Sequence, residues 1–264
     1  MFELNIQKSW IEAMSRRSSV RQYTGAPDKE QLDKLGETCR KLSWQGVKIR
    51  MFKGPGLKSQ IKGTDVYAVI IAKRGTPMEV EGFMGEALVL EATAMGLGTC
   101  WLGAGFYPDI ITRNVDLQSD ESVHCVIALG KANLPAFAPK RKELVKVCGM
   151  TEEQLGQLGA WQKEAVLAAR LAPSAMNQQP WRIAADKTSV SILEQSVLFK
   201  KYAPLDRGIC MLHAAVGAAK AGRSAVWKKV DGGYAMRASG ERGTLRAPPS
   251  NSRQEPEVLG FPTS

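Results

Sequence analysis

Apolar and polar positions along the chain follow two periods, and the switches between them mark its elements. From 6 to 16, Ile6, Trp10, Ala13 and Met14 fall on one face at helical spacing, which predicts a short helix. A second helix is announced at Pro27-Asp28: Asp28 stands as N-cap with Gln31 three residues on, and Leu32, Leu35, Cys39 and Leu42 recur behind it. Residues 65–72 (DVYAVIIA) and 122–130 (SVHCVIALG) are apolar and β-branched, the pattern of buried strands. Between them, 81–96 is apolar nearly all round, which predicts a helix enclosed on most sides. Thr151-Glu-Glu-Gln154 is another capping box, opening a helical region that reaches Leu171 and is stopped by Pro173. Two strands at 181–183 and 189–193 flank a turn at Asp186-Lys187, and a small-residue helix covers 208–222.

One spacing recurs. Ala92-x-x-x-Gly96-x-x-x-x-Trp101 returns as Ala218-x-x-x-Gly222-x-x-x-x-Trp227, in helices of similar apolar character, the kind of echo a duplicated half-domain leaves. The chain is therefore expected to divide into a first half (1–150), a second half (151–227) and a remainder. Residues 228–264, rich in Gly, Pro, Ser and Arg, are expected to form a flexible or atypical tail, either native or the product of a shifted reading frame.

Composition narrows the function classes. With 264 residues the chain is long enough for a sizeable core, and 44% hydrophobic with 23% charged residues is ordinary for a soluble globular protein. The apolar runs at 66–72 and 87–90 are too short to cross a bilayer, and the N-terminal ten residues lack a signal-peptide core. The net charge of +10 favours anionic partners. It is scattered, without a run of five or six basic residues, which argues against a nucleic-acid arm. Five cysteines without CxxC spacing, and two histidines (His124, His213) without metal-ligand spacing, read as reduced, buried thiols in a cytoplasmic protein rather than as a zinc site or a disulfide framework.

Four segments carry candidate chemistry. Residues 15–23 (SRRSSVRQY) place Arg17, Ser18, Ser19 and Arg21 in one loop, a donor set suited to a phosphate monoester. Alone, the loop reads equally as a solvated basic loop at a helix C-terminus. Residues 172–181 (APSAMNQQPW) offer amides and a hydroxyl to the polar edge of a heteroaromatic ring, or form a polar turn leading into a strand. Residues 96–106 (GLGTCWLGAGF) allow close backbone approach to a planar ligand, or form a helix cap followed by a glycine-rich turn. Their glycines close a helix instead of opening one after a strand, so this is not a dinucleotide fingerprint. Lys140, Arg141 and Lys142 add charge to a phosphate site or form a solvated basic loop.

Together these segments resemble the nitroreductase family of FMN-dependent oxidoreductases, through R-x-S-x-R-x-Y at 17–23, G-L-G-T-C-W at 96–101, the strand and basic loop at 126–142, and P-S-A-x-N-x-Q-P-W at 173–181, over roughly residues 8–227. The resemblance implies an α+β fold: a central mixed, mainly antiparallel sheet flanked by helices. In typical members the P-S-x-x-N segment precedes the glycine-rich one and the flavin lies between two subunits. Here it comes last, which implies two fused half-domains in one chain that imitates the dimer and works as a monomer. By the same resemblance Arg17, Ser18, Ser19 and Arg21 bind the FMN phosphate and ribityl chain, assisted by Lys140 or Arg141. Pro173, Ser174, Ala175 and Asn177 meet the isoalloxazine ring, and the backbone of Leu102, Gly103 and Gly105 lies on its N5 side. The implied activity is ping-pong hydride transfer from NAD(P)H to quinone, nitroaromatic or similar small acceptors, with no side-chain acid or base and no metal. A flavin-binding protein without turnover, for storage or sensing, is the alternative.

Overall fold

Two long helices with no solvent face cross at the centre of the molecule: α3 (Met78–Ala94) and α8 (Ala203–Lys220). Residues 4–54, 60–103, 106–133, 140–197 and 200–241 are described by this computed structural model. The crossing is close enough to demand glycine from both partners. A Cβ on Gly82 would collide with the carbonyl oxygen of Leu205, and a Cβ on Gly208 with that of Glu79. Gly208 follows Gly82 by 126 positions, as Leu205 follows Glu79, so the contact is reciprocal, like an isologous subunit interface.

Each helix is framed by four strands in the same arrangement. β1 (Val47–Lys53) and β2 (Val66–Lys73) form a hairpin before α3, and β3 (Leu97–Leu102) and β4 (Glu121–Lys131) follow it. β5 (Trp181–Ala185) and β6 (Val190–Glu194) precede α8, and β7 (Arg223–Val230) and β8 (Gly233–Glu241) follow it. The sheet orders are β1-β2-β4-β3 and β5-β6-β8-β7, the same permutation, with every strand pair antiparallel. Parallel pairing occurs at the isolated bridges Ser19–Thr99 and Gln22–Lys62. The α+β class thus holds, and the expected sheet is resolved into two.

The remaining helices are α1 (Ser9–Arg16), α2 (Lys29–Leu42), α4 (Pro108–Asn114), α5 (Leu144–Cys148), α6 (Glu152–Gly156) and α7 (Ala160–Leu171). Both capping boxes form, at Asp28/Gln31 and Thr151/Gln154. The helical region expected to run to Leu171 is broken into α6 and α7, where Gly159 serves as the second N-cap. One apolar core runs through both halves, from Trp10, Leu35 and Phe83 to Trp181, Ile209 and Trp227. A second covers the far face of the first sheet, where Tyr67, Val69 and Ile71 alternate with Ala68 and Ile70 of the main core. Among the described residues no helix is long and apolar enough to cross a membrane.

Two expectations need correction. The glycine-rich turn after α3 is confined to Gly96, whose φ of 79° ends the helix, and the next six residues are strand β3. Glycine suits this strand because Gly98, opposite Gly130, has Val20 and Ala132 packed against it. The tail expected from Lys228 starts too early: residues 228–241 complete the second sheet, turning at Asp231-Gly232 and burying Tyr234 and Met236 on one face. Residues 242–264 lie outside the described residues.

Candidate functional site

The arginine loop leaves α1 and is sewn to the first sheet by its backbone. Arg17 N–H still closes onto Ala13 O (2.9 Å), after which Val20 N–H donates to Thr99 O (2.9 Å) of β3. Lys62 and Tyr23 continue the pattern, with Lys62 N–H donating to Arg21 O and Tyr23 N–H to Lys62 O. Thr24 N–H then donates to Lys131 O, and Lys131 N–H returns to Gly25 O, at the end of β4. A loop held at this many points presents its side chains in a fixed order.

Arg17 points inward and is 2% exposed, although it belongs to a residue type that is seldom buried without a partner. Its Nε lies 4.0 Å from Glu86 Oε1, on fully buried Glu86 of α3. That carboxylate also holds His213 Nε2 of α8 through Oε1 (2.9 Å), while Oε2 accepts from Trp101 Nε1–H of β3 (2.8 Å). Burial, the largest influence, lowers the pKa of both Arg17 and His213, and the Glu86 charge opposes it in each case. Arg17 Nε, Ser18 Oγ and His213 Nδ1 are buried polar atoms with no hydrogen-bond partner among the described residues. Such atoms are costly unless something else satisfies them.

The basic loop at the end of the first half brings a second cation to the same place. Arg141, 9% exposed, donates from Nε to Leu171 O (3.2 Å) at the end of α7 and from Nη1 to Asn177 Oδ1 (3.2 Å). Asn177 Nδ2–H in turn donates to Lys140 O (3.1 Å). Lys142 N–H donates to Gln179 Oε1 (3.0 Å), Lys142 Nζ to Gln178 O, and Gln179 N–H to Ser174 Oγ (2.7 Å). The basic loop and the Pro-Ser-Ala-Met-Asn segment are therefore one hydrogen-bonded unit. Arg141 is held down to about 10, first by burial and next by the charge of Arg17, with Glu86 acting against both. Arg17 lies against a carboxylate already engaged by His213 and Trp101, and Arg141 stands close enough to feel both charges, which leaves the junction electropositive.

The 174–179 segment is bent into an uncommon shape. Met176, Asn177 and Gln179 all have positive φ (52°, 54° and 49°), and Met176 is 80% exposed. Left-handed conformations in three non-glycine residues within four positions are sustained only by surrounding contacts, and such strain concentrates at functional sites. One of those contacts is Asp206 of α8, whose two carboxylate oxygens accept the Ala175 N–H (3.1 Å each). Burial pushes the Asp206 carboxyl up to about 7, against the lowering effect of that hydrogen bond and of Arg207.

The expected site residues are thus placed unequally. Arg17, Ser18, Arg141, Pro173, Ser174, Ala175 and Asn177 belong to the junction or to the unit that builds it. Ser19, Arg21 and Lys140 are exposed, tied by backbone. Leu102 is buried at the end of β3, and Gly103 O accepts from Tyr202 O–H. Gly105 lies outside the described residues. Sequence reasoning missed Glu86, His213, Trp101, Asp206 and Gln179. A signal was present: 78–94 carries Glu79, Glu81, Glu86 and Glu91 in a helix otherwise apolar, and charges in an enclosed helix must have partners.

This is an α+β chain with a buried, strained and electropositive junction. Its family follows from comparison. Residues 9–218 match the model of the family described as "Putative TM nitroreductase", and the chain belongs to that nitroreductase family. A crystal structure from Thermotoga maritima, described in the same terms, is 24% identical with a TM-score of 0.65, covering 90% of this chain and 96% of that one. A nitroreductase with bound FMN from Desulfitobacterium hafniense is 15% identical (TM-score 0.44), covering 55% of this chain and all of that one, at 100%. An FMN-dependent nitroreductase from Clostridium difficile is 21% identical (TM-score 0.41), covering 49% and 91%. No curated protein matches significantly.

Proposed function

We propose that this chain is an FMN-dependent oxidoreductase that passes hydride from NAD(P)H to quinone, nitroaromatic or similar small acceptors in ping-pong order. The observation that carries the reading is the pair of buried orphans, Arg17 Nε and Ser18 Oγ, beside a second guanidinium. They fit a phosphate-bearing cofactor: a phosphate monoester supplies the missing acceptors and the negative charge that the junction lacks. When bound, FMN supplies the hydride-level redox chemistry.

The chain's part is to bind and orient. Arg17 and Ser18 take the phosphate and ribityl end, with Ser19 and Arg21 at the exposed rim and Lys140 and Arg141 assisting. At the ring end, Ala175 N–H and the Asn177 amide already have partners in Asp206, Arg141 and Lys140, so these residues set the shape of the wall. Ser174 Oγ accepts from Gln179 N–H and keeps its own proton to donate. Pro173 and the Leu102–Gly103 backbone close the remaining sides. Because both parts of the junction come from one chain, the proposed working unit is the monomer. All five cysteines are free and buried, which suits the cytoplasm.

The test is the absorbance spectrum of the purified chain with added FMN, followed by NAD(P)H consumption with quinone and nitroaromatic acceptors. A protein that gains no flavin spectrum overturns the reading. One that takes up FMN but oxidises no NAD(P)H is the storage or sensing protein.

A further inference from the structure

The first turn of α8 reaches both walls of the junction. Tyr202, its N-cap, donates its O–H to Gly103 O at the end of β3, and a Cβ on Gly103 would press on the phenol ring at 3.0 Å. Asp206 lies one turn on, with its N–H on Tyr202 O (2.9 Å), so the two side chains rise from one short stretch of backbone. Its two carboxylate oxygens share the Ala175 N–H, directly before the left-handed Met176 and Asn177. One turn of helix thus ties Gly103 to the strained segment across from it.

Asp206 is 4% exposed, and a carboxylate is costly to bury. The fold does not ask for it. The reciprocal crossing relates Gly208 to Gly82 by 126 positions, and the same step takes Asp206 back to Val80, a buried apolar residue of α3. The carboxylate stands on the side whose link carries the Pro-Ser-Ala-Met-Asn segment. A charge kept where a valine serves on the matching helix marks a functional demand. We propose that Tyr202 and Asp206 are positioning residues that clamp the two walls at the spacing a flavin ring needs, Tyr202 through Gly103 O and Asp206 through Ala175 N–H. The assignment rests on the proposed function. The charged and titratable groups that face Asp206 are Arg207 and Cys210 of α8, Glu86 of α3 and Cys125 of β4, and burial pushes both thiols well up, so they stay neutral.

The full chain is titrated with FMN and with riboflavin, which has the same ring and no phosphate. Asp206→Asn and Tyr202→Phe are each expected to weaken both ligands by the same factor, roughly five- to ten-fold, as for one hydrogen bond. Arg17→Ala, at the phosphate end, is expected to weaken FMN far more than riboflavin. Riboflavin, free of a titrating phosphate, also gives the pH profile. Burial holds the Asp206 carboxyl at about 7, so its charge is present at pH 8 and mostly lost by pH 6. Riboflavin affinity is expected to fall several-fold over that window in the native chain and to stay level in Asp206→Asn. The same substitution removes a buried charge, so its melting temperature at pH 8 rises while its flavin affinity falls, a divergence that a purely structural residue does not give. Unchanged riboflavin affinity in either variant, a loss confined to FMN, or an Asp206→Asn melting temperature that falls along with affinity overturns the proposal, while FMN uptake by the native chain still upholds the proposed function. A native chain that takes up no flavin overturns both.

Discussion

In the first half, the link from α2 to the hairpin is residues 43–46, Ser-Trp-Gln-Gly; in the second, the link from α7 to its hairpin is residues 172–180, Ala-Pro-Ser-Ala-Met-Asn-Gln-Gln-Pro. The frames on either side repeat: helix, hairpin, long helix, two strands, with the same sheet order. The ends of the long helices also repeat, since Gly96 and Gly222 have φ of 79° and 76° and each is followed by an edge strand bearing Trp101 or Trp227. What differs is the loops. The first half supplies the buried Arg17 loop and the second the long strained link, so the pair of loops that makes a junction occurs once. The mirror-image junction would have to use the short 43–46 link, which has no Pro-Ser-Ala-Met-Asn. Burial constrains the helix crossing equally on both sides, whereas the loops differ from one side to the other.

That comparison can be broken most severely at the second sheet. β8 lies between β6 and β7, so a chain ending at Trp227 leaves β7 unpaired and β6 with β5 alone, and its cooperative melting transition is expected to disappear. Gly82→Ala and Gly208→Ala push a methyl group into the opposing backbone, and each is expected to cost about 3 kcal/mol in urea unfolding. The reciprocal contact requires the two costs to be similar. Arg17→Ala removes a buried guanidinium and is expected to weaken FMN binding by about 2–3 kcal/mol in a fluorescence titration. Exposed Arg21→Ala should lose no more than about 1 kcal/mol in the same titration.

Asp206 offers a test through pH. Its folded pKa, near 7, lies above the ordinary carboxyl value, so the folded state binds the extra proton and stability falls as pH rises from about 4 through 7. Asp206→Asn is expected to flatten that slope and to gain about 1–2 kcal/mol at pH 8, measured as melting temperature against pH. The matched helix ends give a paired test. Gly96→Ala and Gly222→Ala force a methyl group into a left-handed residue, at about 1–2 kcal/mol each and nearly equal.

Much of this was legible in the sequence because its causes are local. Asp28/Gln31 and Thr151/Gln154 announce helix starts by spacing alone, and the apolar continuity of 65–72 and 122–130 marks strands buried on both faces. The echo between Trp101 and Trp227 falls where a helix ends at a glycine and a strand follows, at Gly96 and at Gly222. β1 escaped notice because Lys48, Arg50 and Lys53 interrupt Val47, Ile49 and Phe52, although the alternation is that of a half-buried strand. β8 was hidden by the composition around it, while the Asp231-Gly232 turn was the stronger, more local signal. The Glu86–His213–Trp101 cluster was illegible for another reason. Glu86 and Trp101 lie on successive elements, α3 and β3, but His213 is 127 positions away on α8 and meets Glu86 only through the helix crossing.

The central claim is that one chain completes one flavin site from both of its halves. Titrating the purified chain with FMN, with its solution mass measured by light scattering, tests that claim directly. The account predicts one FMN per chain on a monomer, lost in Arg17→Ala. Two FMN per chain, or binding that requires a dimer, would contradict it.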